Sequence, residues 1–159
     1  MICQTYPIPT MNDTTSAYLA GYLERGGAIR IYINRGSDDT PVIETGQGST
    51  VPIESAGIYI RVRASDMTVL RMLKEVAGGK LSPGQWQGWN DDAATVLRAI
   101  GPYLKTGKRK AVVSLVLEFH EFMEEKREEA MGGASCFTVE DVEAVVRYDV
   151  TLREITGSK

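Results

Sequence analysis

The chain has 159 residues, of which 43% are hydrophobic and 25% charged. That balance fits one globular domain and excludes a disordered tail or a fibrous repeat. The formal net charge of -3 conceals an asymmetry: residues 1–110 carry 13 Lys/Arg against 10 Asp/Glu, and residues 111–159 carry 5 against 11. The total therefore does not exclude a polyanionic partner for one face. The apolar run 111–117 is far shorter than the roughly 20 residues of a membrane span, and the start MICQTYPIPT lacks the basic and apolar regions of a leader. A cytoplasmic location without a membrane partner is expected. Cys3 and Cys136 lack metal-ligand spacing and read as reduced thiols.

Asp13-Thr14-Thr15-Ser16 offers helix caps ahead of AYLAGYLERG, and Gly26-Gly27 stops that helix. In residues 28–35, Ile29, Ile31 and Ile33 alternate with Arg30, Tyr32 and Asn34, the period-2 pattern of a half-buried strand. Residues 58–63 repeat it, with Ile58, Ile60 and Val62 opposite Tyr59, Arg61 and Arg63. The polar connection 36–57 is long for a hairpin loop, with room for a short extra strand at 50–53. Ser65-Asp66 caps a second helix with Val69, Leu70, Leu73 and Val76 inward, ended by Gly78-Gly79. Two short strands at 80–81 and 85–89 flank Pro83-Gly84. A third helix capped by Asn90-Asp91 runs to Ile100, where Gly101-Pro102 breaks it. A long helix follows over 106–130, with Val112, Leu115, Val116, Phe119, Phe122 and Met123 toward the core. Thr138-Val139-Glu140-Asp141 then resembles a capping box opening a last helix, with Val142, Val145, Val146 and Ile155 inward.

The outward positions of the first two strands are Arg30, Tyr32, Asn34, Tyr59, Arg61 and Arg63, with no acid among them. Arginine bonds bidentately to guanine edges and asparagine to adenine, and a two-stranded ribbon fits the major groove. Cross-strand Arg and Tyr pairs that only solubilise the sheet are the plain alternative. Gln85 and Gln87 are further candidates for base edges, and Lys108, Arg109 and Lys110 for phosphates. Lys80 is an additional cation near the strands.

LAGYLERGG at residues 19–27 resembles the LAGLIDADG motif of homing endonucleases. The context is similar too: a helix, two strands, the segment SDMTVLRMLKEVAGGKL, a Trp-bearing strand WQGWN, and PYLKTGKRKAVVSLVLEF, which resembles the family's proline-led segment and long final helix. The similarity covers about residues 17–123. It implies an α+β, αββαββα fold with a curved antiparallel sheet gripping DNA, here followed by C-terminal helices. Residues 1–130 would form the DNA-binding domain and 131–159 a helical extension of it. The motif helix would pair with a second one. Ala17 and Gly21 are four apart, as are Ala20 and Glu24, so these residues are the expected interface of a homodimer.

In nuclease members of the family an acid at the eighth motif position holds the divalent metal. Here that position is Gly26, which has no side chain to offer a cation. Glu24 matches the motif's first acidic position, which has a mainly structural setting in the family, and it is a weak substitute. No catalytic residue, metal or cofactor is therefore expected, and the leading expectation is sequence-selective binding of double-stranded DNA without cutting, as in a regulator or a phage or mobile-element accessory factor. A Mg²⁺-dependent endonuclease recruiting Glu24, Asp38 or Asp39 is the enzyme alternative. A protein-interaction module using the acidic C-terminal third is another. His120, the only histidine, reads as a surface or half-buried structural residue.

Overall fold

The N-terminal helix α1 (Asp13–Gly26) is capped by Asn12, one residue ahead of the expected caps, whose Oδ1 accepts the Thr15 N–H at 2.8 Å. The computed structural model describes residues 12–35, 43–45, 48–50, 53–129 and 138–157. Cys3, Cys136, Asp38 and Asp39 lie outside them. From α1 the chain enters β1 (Gly27–Arg35), then a two-stranded ribbon of β2 (Ile43–Thr45) and β3 (Gly48–Thr50), and then β4 (Ile53–Arg63). β4 is longer than its alternating sequence suggests, starting five residues before Ile58. Of the extra strand expected at 50–53, Thr50 ends β3 and Ile53 begins β4, while 51 and 52 lie outside the described residues.

Next come α2 (Met67–Ala77), β5 (Lys80–Ser82), β6 (Gln85–Trp89) and α3 (Asn90–Ile100). A 3-10 turn over Gly101–Tyr103 leads into α4 (Gly107–Glu129), and α5 (Val139–Thr156) closes the described chain. The main sheet is antiparallel in the order β1-β4-β6-β5. The αββαββα order of the sequence reading is thus present, with the ribbon inserted between its first two strands and two helices after it. The class is α+β.

Alternation in the strands places Ile29, Ile31, Ala56, Ile58, Ile60, Val62 and Trp86 on one face, all buried. Against them pack Leu19, Ala20 and Leu23 of α1, Val69, Leu70 and Leu73 of α2, Val96 and Leu97 of α3, and Val112, Val116 and Phe119 of α4. Each such side chain taken fully from water contributes about 1.5–3 kcal/mol. Trp86 is completely buried and satisfies its one donor by giving Nε1–H to the Gly78 carbonyl at 2.9 Å. Gly79 lies at φ +74, and a Cβ there would meet the Gln87 carbonyl oxygen at 2.4 Å, so both conformation and space require glycine at the β5 entrance.

The helix α5 joins the same core through Val142, Val145 and Leu152. Its N-terminus forms the expected capping box: Thr138 N–H donates to Asp141 Oδ2 at 3.0 Å, and Asp141 N–H to Thr138 Oγ1 at 3.2 Å. Burial alone would raise the Asp141 pKa. The Thr138 hydrogen bonds and Lys126, whose Nζ is 3.0 Å away, outweigh burial and hold it below the usual carboxylate value.

Candidate nucleic-acid interface

The unburied face of the sheet follows from the register. Arg30 pairs with Tyr59 and Tyr59 with Trp89; Ala28 pairs with Arg61, Arg61 with Gln87, and Gln87 with Lys80; Arg63 pairs with Gln85. Residues directly opposite one another share a face. Arg30, Tyr59, Arg61, Arg63, Gln85 and Gln87 are therefore gathered on one side, together with Lys80 and Trp89. Tyr32 and Asn34 continue that side along β1, opposite Gly57 and Ser55. No ion pair among the described residues uses Arg30, Arg61 or Arg63. Their guanidinium groups keep their hydrogen-bonding capacity for a ligand.

Polar contacts within the face hold several side chains in place. Gln87 Nε2 donates to the Tyr59 hydroxyl at 2.7 Å, the Tyr59 and Trp89 rings lie 5.4 Å apart, and Asn34 Nδ2 donates to Ser55 Oγ at 2.8 Å. Tyr32 is half-buried. Its hydroxyl accepts from Asn90 Nδ2 at 2.9 Å, while Asn90 Oδ1 accepts the Ile58 N–H at 3.3 Å. Asn90, expected to cap α3, instead sits at φ +50 and staples the start of α3 to β1 and β4. The residue before it, Trp89, gives α3 no side-chain cap.

The pairing register puts Lys80, the additional cation near the strands, on this face, and Trp89, not counted there from the sequence, joins it. Trp89 is 39% exposed, unlike Trp86, and the alternation of Gln85, Gln87 and Trp89 against Trp86 was its available signal.

The basic segment before and within α4 does not join this face as one unit. Arg109 lines a groove beside Ala28, Arg30 and Ile31 of edge strand β1, with Asp149 and Arg153 of α5 on the far wall. Lys110 points elsewhere: it lines a groove with Leu97, Arg98 and Pro102 on the helical layer. The phosphate candidates Lys108, Arg109 and Lys110 thus do not share one direction, because consecutive helical residues are about 100° apart. Lys108 is exposed.

On α1 the small residues divide between two faces. Ala17 and Gly21 are exposed, and a Cβ on Gly21 would meet nothing within 4 Å. Ala20 is 1% exposed and packs in the chain's own core beside Leu19 and Leu23. This corrects its assignment to a dimer interface: the Ala20 stripe faces inward. The outward stripe also carries Tyr18, edge-to-face with Tyr22 at 5.2 Å. The hydrogen bond to Tyr22 raises the Tyr18 pKa. Both tyrosines line a cleft of about 780 Å³ with Ala17, Gly21, Arg25 and Tyr103.

Glu24 is half-buried and lines the same cleft as Ala17 and Gly21, with one carboxylate oxygen turned to the chain's own backbone. Its Oε1 accepts the backbone N–H groups of Lys105 and Thr106, the latter at 3.1 Å, joining the end of α1 to the start of α4. These hydrogen bonds, helped by the charges of Lys105 and Arg109, lower its pKa. Gly26 is the last residue of α1 and supplies no side-chain ligand atom.

No family model and no curated protein matches the chain. Solved structures do. The homing endonuclease I-CvuI in complex with its target superposes with a TM-score of 0.57 at 15% identity, covering 92% of this chain and 83% of that one. The chain has the LAGLIDADG homing-endonuclease fold. The LAGLIDADG homing endonuclease I-SmaMI bound to cleaved DNA gives 0.58 at 13% identity, over 96% of this chain and 49% of its own. The homing endonuclease I-TnaI gives 0.55 at 13%, over 94% and 97%. This chain thus spans about half of I-SmaMI and nearly all of I-TnaI. The segment LAGYLERGG, with Glu24 and Gly26, lies at the end of α1 and the start of β1. No helix among the described residues is long and apolar enough to cross a membrane.

Proposed function

We propose that the chain binds double-stranded DNA sequence-selectively, as a pair of identical chains, and does not cut it. The observation that carries this reading is the single outer sheet face on which three arginines, two glutamines, a lysine, an asparagine and three aromatic residues converge. An antiparallel ribbon fits the major groove, arginine and glutamine recognise guanine and adenine edges there, and a lysine such as Lys80 suits the phosphates at the rim. Structures of I-CvuI and I-SmaMI on DNA show the same fold accommodating a duplex. Pairing is supported by the small exposed residues Ala17 and Gly21 on the outward stripe of α1.

The loss of cutting rests on Gly26 together with Glu24. A divalent ion at a phosphate needs carboxylate oxygens. Gly26 has none, and the Glu24 Oε1 is engaged by two backbone amides. Binding without cutting suits a regulator or an accessory factor.

Selection of bound sequences from a random duplex pool, followed by incubation with Mg²⁺ and denaturing electrophoresis, tests both halves of the proposal. Enrichment of a two-fold symmetric site with intact strands is expected. Absence of any enriched sequence refutes the binding reading, and specific cleavage refutes the inactive one.

A further inference from the structure

His120 is 2% exposed, and its Nε2 edge meets two carboxylates: Asp91 Oδ1 at 3.2 Å and Glu124 Oε1 at 4.0 Å. We infer that Asp91, His120 and Glu124 form a binding site for one divalent transition-metal cation, separate from the sheet face and from the motif helix. The sequence hid this arrangement. His120 and Glu124 are four apart on α4 and so share one stripe, but Asp91 arrives from the first turn of α3, and only folding brings it alongside.

One ligand atom from each of the three residues lies within 4.8 Å of the others. An ion with bonds of about 2.0–2.2 Å to nitrogen and oxygen separates its ligand atoms by roughly 3–3.5 Å. The Asp91–His120 separation already matches, and a rotation of the Glu124 side chain shortens the other two. Rigid core packing fixes the imidazole, because Phe119 and Met123 on either side of it along α4 are buried. The Asp91 side chain is 80% exposed, so it can turn onto an ion without disturbing the core. One imidazole and two carboxylates suit Zn²⁺, Mn²⁺ or Co²⁺ better than Mg²⁺ or Ca²⁺, which take oxygen ligands almost alone. Three protein ligands leave a position for water.

Two features set the strength of binding. Arg127 pairs with Glu124, but both side chains are substantially exposed, and an exposed ion pair gives way readily to a divalent ion. His120 Nδ1 is buried with no hydrogen-bond partner. When Nε2 binds metal, the ring proton sits on Nδ1 and meets no acceptor. A liganding histidine without that outer hydrogen bond typically binds 10–100-fold more weakly, which places this site well below a structural zinc centre in affinity. Occupancy would tie the first turn of α3 to α4 next to Asn90, which holds Tyr32 at the sheet edge.

Titration of the full chain with Zn²⁺ by calorimetry, beside Asp91→Asn and Glu124→Gln, tests the inference. Both variants alter exposed carboxylates, so the fold is retained, and each should lose at least tenfold in affinity at one site per chain. Because His120 is the only histidine, its ring nitrogens give one unambiguous pair of NMR signals, and stoichiometric Zn²⁺ should move the Nε2 resonance in the unmodified chain. Equal affinity in the variants, or an unmoved Nε2 signal at saturation, would overturn the site.

Discussion

Glu24 accepts the backbone N–H of Thr106 at 3.1 Å across 82 positions of sequence. The contact makes Glu24 an anchor between α1 and α4. Thr106 itself caps α4, its carbonyl accepting from the Lys110 N–H at 3.1 Å and its hydroxyl from the Arg109 N–H at 3.3 Å. The carboxylate therefore sits at the positive end of the α4 dipole as well as on two amides.

A consequence appears in acid. The folded pKa of Glu24 is lowered, so its ionised form is favoured by folding. That stabilisation is present above the ordinary carboxylate pKa and is lost as the pH falls through the lowered folded value. Glu24→Gln keeps the shape and removes the charge. Thermal unfolding at a series of pH values should show the unmodified chain losing stability in acid more steeply than the variant, with the two curves converging at low pH. Parallel curves would remove Glu24 from the pH response.

Gly57 lies directly opposite Tyr32, and a Cβ added to it would meet Asn90 Oδ1 at 2.0 Å and the Tyr32 hydroxyl at 2.6 Å. Both contacting atoms belong to the staple that joins β1, β4 and α3. Gly57→Ala should therefore break the Tyr32–Asn90 hydrogen bond and destabilise the chain by about 1–3 kcal/mol, the usual range for overpacking. Urea denaturation measures this directly, and Asn90→Ala should show less than additive loss when combined with it because the two sites share partners.

Much of the architecture was legible because it depends on local patterns. Ile29, Ile31 and Ile33 alternate with polar residues, Asp66 accepts the Thr68 N–H as a cap, and Thr138 and Asp141 satisfy each other within one turn. The features that escaped notice are set by contacts distant in sequence. Nothing local says that Ala20 faces the core while Ala17 faces out, since both stripes of α1 carry small residues. Asn90 looks like a cap until β1 and β4 are placed beside it, and the partner of His120 comes from another helix. Among the candidate interface residues, the strand positions were legible from period two alone. The direction of Lys110 was not, because it depends on where α3 packs.

The outward stripe of α1 gives a clean test of pairing. Gly21 has open space around it, and a helix-interior glycine costs roughly 0.5–1 kcal/mol relative to alanine. Gly21→Leu should therefore leave the single chain folded, while a leucine projecting from the close-approach face drives two motif helices apart. Sedimentation velocity should show dimer for the unmodified chain and monomer for the variant. A dimer of unchanged affinity would place the contact elsewhere.

The central claim is that the outer sheet face reads DNA, and the affinity of a selected duplex for the Arg30/Arg61/Arg63→Ala variant tests it most directly. Each side chain is exposed or half-buried and makes no ion pair among the described residues, so the fold should tolerate all three changes. Loss of a base-contacting arginine costs about 1–3 kcal/mol. Lys110→Ala, altered on the helical layer, serves as the control. Titration over a range of salt concentrations should show the triple variant bound at least a hundredfold more weakly, with its preference for the selected sequence gone, and Lys110→Ala indistinguishable from the unmodified chain. Full affinity and retained preference in the triple variant would contradict the account.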